Sequence, residues 1–204
     1  RHFPTIVLDS GRIEMGSKQH SLAKRRVQSI IKKGRRFAVD VDLSKFFDRV
    51  NHDLLMTHLN YKLKDKALLK LIAKYLRAGI MDKNRFIESR EGVPQGGPLS
   101  PLLANIMLDP LDKELETRGH KFARYADDFT ILVKSKRAGE RILNSISNYL
   151  ERRLKLIVNS DKSRVVKTSE SKFLGRFIYK SLFDQDELKF IQKHCIDLRS
   201  KYVV

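Results

Sequence analysis

Residues 121–125 and 129–133 read as two short strands separated only by Ala126-Asp127-Asp128, a spacing that constrains the fold more than any other feature of the chain. Strands this close fold back on each other as an antiparallel hairpin, which puts both aspartates at its tip. A further acidic strand lies upstream, where Phe37, Val39, Val41 and Leu43 alternate with Ala38, Asp40 and Asp42. That period of two marks a strand with unlike faces, and it points Asp40 and Asp42 the same way. Around these strands the periodicity is helical. Leu22, Val27, Ile30 and Ile31 precede Gly34. Runs follow at about 51–61 and 65–78, the second with Leu68, Leu69, Ile72 and Leu76 ahead of Gly79. An apolar helix is expected from 99 to about 116 with Pro110 inside it, and Ala138, Ile142, Ile146, Tyr149, Leu150 and Leu154 line one side of another. Other strands are expected near 5–8, 85–89, 155–159, 163–167 and 172–179, with a last helix over 187–201. This order predicts an α+β fold, with helices on one side of an antiparallel sheet whose other face is free.

Charge narrows the partner. With 42 Lys and Arg against 24 Asp and Glu, the chain carries +18 at neutral pH, enough to neutralise many phosphates and release their counterions. A nucleic acid is the expected partner, and a solvated or ribosomal-type basic surface is the plainer alternative. No apolar run approaches the ~18 residues of a membrane span, so no membrane partner is expected. Arg1-His2-Phe3-Pro4 is not followed by the apolar stretch of a signal peptide. The single cysteine, Cys195, has no partner for an internal disulfide and suits a reducing cytoplasm.

Carboxylates inside a strand pattern and at an apolar hairpin tip sit where burial disfavours them. Converging carboxylates repel, and a hard cation such as Mg²⁺ is the usual reason they persist together. The chemistry such a cluster serves is two-metal phosphoryl transfer. Each acid also has an ordinary reading: Asp127-Asp128 as turn chemistry, Asp42 as a strand end or a helix N-cap. The histidines offer no rival, since His52 and His58 are six apart and no metal-binding spacing occurs.

Four ordered blocks carry a resemblance. They are Asp42-Leu43-Ser44-Lys45-Phe46-Phe47-Asp48, then Gly92-Val93-Pro94-Gln95-Gly96-Gly97-Pro98-Leu99-Ser100-Pro101-Leu102-Leu103-Ala104-Asn105-Ile106, then Tyr125-Ala126-Asp127-Asp128, then Phe173-Leu174-Gly175. Together they resemble reverse transcriptases, and the second block is similar to the group II intron-encoded (maturase) branch. The resemblance implies a polymerase palm with partial fingers, and an RNA-directed DNA polymerase working with two Mg²⁺ ions, or Mn²⁺ in their place. Asp42 and Asp127 would bind the metals, and Asp128 would support them. Phe47 would lie under the sugar and favour deoxynucleotides, although it also reads as a core aromatic, with Phe46 the stronger core candidate. Gln95, Gly96 and Lys162 would face the incoming nucleotide, and Tyr125, Phe173 and Gly175 the primer and template. The implied partners are an RNA template, a DNA primer, dNTPs and an intron RNA.

The chain departs from that pattern at its start, where Gly16-Ser17-Lys18-Gln19-His20 keeps only the histidine of a fingers signature. Lys18, Lys24 or Arg25 are the available substitutes for gripping a triphosphate. The expected organisation is 1–35 as a partial fingers segment, 36–180 as the palm with a fingers insertion at about 50–98, and 181–204 as the start of a thumb. The alternative to a polymerase is an intron RNA-binding maturase fragment that is catalytically silent by itself.

Overall fold

The computed structural model describes residues 6–8, 11–13, 18–78, 80–82, 85–87, 91–93, 99–173 and 176–178. In chain order these form β1 (Ile6–Leu8), β2 (Gly11–Ile13), α1 (Lys18–Lys32), β3 (Phe37–Val41) and a 3-10 turn at Phe46–Arg49. Then come α2 (His52–Lys62), α3 (Lys66–Arg77), β4 (Ile80–Asp82), β5 (Arg85–Ile87), α4 (Ser100–Thr117), β6 (Lys121–Tyr125) and β7 (Asp128–Val133). Last are α5 (Lys136–Arg153), β8 (Arg164–Lys167), β9 (Lys172–Phe173) and β10 (Arg176–Phe177).

The central sheet has four strands in the order β6-β7-β3-β8, every neighbour antiparallel. Its register places Val39 against Ile131, Val41 against Phe129 and Phe122 against Ile131, so the apolar halves of the alternating patterns share one face. That face builds the main core with Leu103, Met107 and Leu111 of α4 and Ile146 and Leu150 of α5. Burial of this many large side chains, each stabilising by about 1.5–3 kcal/mol, fixes the register against a one-residue slip. Gly139 lets α5 approach closely, since a Cβ there would lie 2.6 Å from Val165. Local signals set the helix starts. The Asn51 side chain accepts from the N–H of Leu54, Asp65 from those of Ala67 and Leu68, and Ser135 from that of Ala138. α4 runs as one helix through Pro110, whose carbonyl accepts from the Tyr149 hydroxyl at 3.2 Å.

The α+β architecture agrees with the sequence reading, but the second sheet face is not free. Val27 and Ile30 of α1 pack there with Ala38, Ala123, Leu132, Phe173 and Ile178 as a separate small core. Small side chains at 38 and 123 leave room for a helix, and α1 brings an apolar stripe to fill it. The strand expected at 155–159 is reduced to a single bridge between Leu43 and Val158. β2 and β4, neither of them foreseen, pair with β1 and β5 as two-stranded hairpins. The helix expected at 187–201 lies outside the described residues.

Candidate active site

The β6–β7 hairpin closes tightly: Tyr125 pairs with Asp128, leaving Ala126 and Asp127 as a two-residue loop. Such loops need a residue with left-handed backbone, and Ala126 supplies it at φ 54°. On the neighbouring strand Val41 pairs with Phe129, so one further step brings Asp42 level with Asp128. Asp42, Asp127 and Asp128 therefore share one end of the sheet.

Asp42 lies just beyond the β3 ladder, and a different segment holds its backbone. Its N–H donates to the Ser163 hydroxyl at 3.0 Å, and its carbonyl accepts from the N–H of Asn159 at 2.9 Å. The N–H of Ser44 donates to the carbonyl of Ile157 alongside. Asn159 organises this 159–163 loop by accepting from the N–H groups of Asp161 and Lys162, so the exposed Lys162 stands on the loop that straps Asp42.

Beneath the hairpin tip lies a group that the sequence reading missed. Arg124 is 1% exposed and donates through Nε to Asp112 Oδ1 at 2.8 Å, and again through Nη2 to Asp112 Oδ2. Its Nη1 donates to Asn105 Oδ1 at 2.9 Å and to the carbonyl of Ala126 at 2.7 Å. Asp112 and Asn105 are buried on α4. Burial pushes the Asp112 carboxyl upward, and the paired guanidinium pulls it back only in part.

The other half-buried acids are partnered. Asp109 pairs with Lys62 and Lys113, and Asp40 accepts from Thr130 at 3.0 Å and Ser171 at 2.8 Å. Asp42 and Asp127 are half-exposed, and neither side chain has a hydrogen bond or ion pair among the described residues. Two hard oxygen donors left unneutralised in a chain of net charge +18 suit an oxygen-seeking cation that takes one or two carboxylates plus substrate phosphate. No three His, Cys, Asp or Glu side chains among the described residues gather closely enough to cage a metal by themselves. The donor set thus fits a metal that arrives with substrate better than a closed structural site.

Asp40 has a structural job instead. Burial raises its carboxyl above the usual range, with the bonds from Ser171 and Thr130 and the charge of Arg164 only partly offsetting this. The folded state then binds this proton more tightly than the unfolded chain, so its contribution to stability falls as pH rises from the unfolded value of 3.8 through the folded one. Asp40→Asn keeps an acceptor for both hydroxyls and removes the charge. The variant is expected to be at least as stable as wild type at neutral pH, with the difference closing as pH falls, in urea melts across that range.

The other candidates divide. Phe46 is buried and meets half-buried Phe47 edge-on, with ring centroids 5.1 Å apart. The carbonyl of Phe47 accepts from the N–H of Val93 at 2.6 Å, which brings the start of the Gly92-Val93 segment against it. Gln95, Gly96 and Gly175 lie outside the described residues. Tyr125 is half-buried beside the small core, and the Phe173 ring is buried within it. The buried ring of Phe173 is thus a core group in this fold. His52 is a satisfied buried group, its Nε2 2.6 Å from the carbonyl of Gly92.

Comparison with known proteins identifies the family. Residues 8–178 match the family described as Reverse transcriptase (RNA-dependent DNA polymerase). The chain is 31% identical to Protein YkfC of Escherichia coli (strain K12), over 76% of this chain and 50% of that protein. It is 28% identical to the group II intron-encoded protein LtrA of Lactococcus lactis subsp. cremoris, over 70% of this chain and 35% of LtrA. The chain thus spans half or less of the length of these curated relatives. Among solved structures, apo telomerase from Candida tropicalis superposes with a TM-score of 0.58 at 16% identity, covering 80% of this chain and 38% of that one, a likeness of fold. No helix among the described residues is long and apolar enough to cross a membrane. Enzymes of the matched family generally use divalent metal ions. The chain belongs to the reverse transcriptase (RNA-dependent DNA polymerase) family.

Proposed function

We propose that this chain is the polymerising core of an RNA-directed DNA polymerase of the group II intron-encoded type, adding deoxynucleotides to a DNA primer on an RNA template. The observation that carries this reading is the pair Asp42 and Asp127, at one sheet end and without a cationic partner among the described residues of a strongly basic chain. Asp42 and Asp127 would hold two Mg²⁺ ions, or Mn²⁺ in their place, with Asp128 assisting from the tip. Bound there, the metal supplies activation of a primer 3′-hydroxyl and charge stabilisation at the departing pyrophosphate.

The chain's own residues do the remaining work. Ser163 and Asn159 fix the backbone of Asp42, and their loop offers Lys162 to the triphosphate. The N–H of Val93 bonds the carbonyl of Phe47, whose ring would bar a 2′-hydroxyl, and Gln95 and Gly96 would contact the incoming nucleotide. Tyr125, Phe173 and Gly175 would serve the primer and template. We assign 36–180 to the palm with the fingers insertion at about 50–98, 1–35 to partial fingers, and 181–204 to the start of a thumb. Partners are an RNA template, a DNA primer, dNTPs and an intron RNA, in a reducing cytoplasmic or organellar compartment.

Primer extension on an RNA template by the intact protein, with Asp127→Ala as the comparison, tests this reading. Extension that Asp127→Ala leaves untouched overturns it. Tight, salt-dependent RNA binding with no extension by wild type favours the maturase-type binding module instead. For Phe47, substitution by valine is expected to raise ribonucleotide incorporation relative to deoxynucleotide by about tenfold or more, read from competing single-nucleotide additions.

A further inference from the structure

We propose that Arg124 is a positioning residue for Asp127, acting through the carbonyl of Ala126 and anchored on α4 by Asp112 and Asn105. This rests on the polymerase reading above. The carbonyl that Arg124 holds at 2.7 Å belongs to the peptide joining Ala126 to Asp127, so the bond fixes the peptide plane from which Asp127 departs. Ala126 sits at a positive φ that L residues disfavour by roughly 1–2 kcal/mol, so the turn needs something to hold it there. Arg124 is suited to that task because its planar fork is immobilised along its Nε–Nη2 edge by both oxygens of Asp112, while Asn105 Oδ1 holds Nη1, the nitrogen that also donates to the Ala126 carbonyl.

Stability alone gives a weak reason to bury this arrangement. Arg124 and Asp112 are each 1% exposed, and taking two charges out of water costs several kcal/mol per ion, which mutual attraction recovers only in good geometry. Well-packed apolar side chains commonly serve a core as well or better. A rigid link from a core helix to the turn bearing a reactive carboxylate is something apolar packing does not provide. Asp42, the facing acid, is held similarly: both its backbone polar groups are bonded by the 159–163 loop. Asp42 and Asp127, neither with a side-chain partner among the described residues, are thus both held through backbone bonds to other residues.

The test compares the intact protein with Arg124→Lys and with the apolar pair Arg124→Met, Asp112→Leu. Three quantities are read: the melting temperature, the Mn²⁺ affinity of the protein with primer-template and a non-hydrolysable dNTP analogue by electron paramagnetic resonance, and kcat and KM for dNTP in primer extension. Both variants are expected to lose at least about tenfold in kcat, since small misplacements of a reacting group cost that much or more. Mn²⁺ affinity is expected to fall with kcat, while KM stays near wild type. The apolar pair is expected to melt close to wild type and still lose metal affinity, which separates positioning from a role in stability. A folded variant of either kind with unchanged Mn²⁺ affinity and kcat overturns the proposal. Should the apolar pair fail to fold, Arg124→Lys decides by the same readings. If Asp127→Ala abolishes extension while both Arg124 variants remain fully active, the inference fails and the polymerase reading stands; if Asp127→Ala is also active, that reading fails first.

Discussion

Truncation of Asp127 to alanine is expected to reduce primer extension by about 10³-fold or more while leaving the fold intact and strengthening RNA binding. The loss follows from electrostatics at the reacting phosphate. On the proposed reading Asp127 holds a cation where charge develops, and removing one preorganised group of this kind costs ~10²–10³ in kcat, more when it holds a cation. The retained fold follows from the structure: Asp127 has no side-chain hydrogen bond or ion pair among the described residues, and its turn is closed by the Tyr125–Asp128 pairing and the Arg124 bond to Ala126. The gain in RNA affinity follows from sign. One fewer anion near the path of a polyanion, on a chain of +18, reduces repulsion, and the gain should shrink with added salt. Circular dichroism melts, filter binding at two salt concentrations and extension assays read the three effects separately. A merely structural aspartate would move them together, with melting and binding falling alongside activity.

The parts of the site legible in sequence are those whose geometry is local. Three residues between two strand patterns leave the chain little choice but a hairpin, so Asp127 and Asp128 are placed at its tip by spacing alone. The alternation from Phe37 to Leu43 identifies β3, but parity cannot tell Asp40 from Asp42. They are separated by contacts from residues 90 and 131 positions away, Thr130 and Ser171, which occupy Asp40 and leave Asp42 beyond the end of the ladder. The covered second face was missed for a similar reason: the stripe on α1 is visible in sequence, but its destination over Ala38 and Ala123 is not. At 154–158 the alternation misleads. Leu154 and Leu156 are buried, yet the N–H of Leu156 bonds back to Leu150 and Lys155 takes a positive φ, so alternate burial occurs without a strand ladder. Arg124 reads as one charge among 42, but a signal for it existed. Asn105 and Asp112 are seven apart in an apolar helix, two turns along one side, which is where buried polar residues would line up to meet a partner.

Gly92→Ala is expected to destabilise the fold by about 2–4 kcal/mol, a fall of roughly 5–15 °C in melting temperature for a chain of this size. Two penalties combine at that position. The backbone has φ +90°, which L side chains rarely adopt, and an added Cβ would stand 2.8 Å from the carbonyl oxygen of Asp48 and 3.0 Å from that of Phe47. Both are backbone atoms of the 3-10 turn and cannot rotate aside. Gly92 is also bonded at both ends, its N–H to the carbonyl of Val50 at 2.8 Å and its own carbonyl to His52 Nε2 at 2.6 Å, so relief by movement breaks one of them. Gly34 supplies the control: it has φ +84°, yet a Cβ there meets nothing within 4 Å. Gly34→Ala therefore carries the conformational penalty alone, about 1 kcal/mol, and the difference between the two variants measures the clash. The consequence reaches the site through the N–H of Val93, which bonds the carbonyl of Phe47 and fixes where the following loop departs. Gly92→Ala should raise KM for dNTP even at temperatures where it is fully folded, whereas Gly34→Ala should leave KM unchanged; equal melting temperatures for the two variants would show that the strap at Gly92 yields without cost.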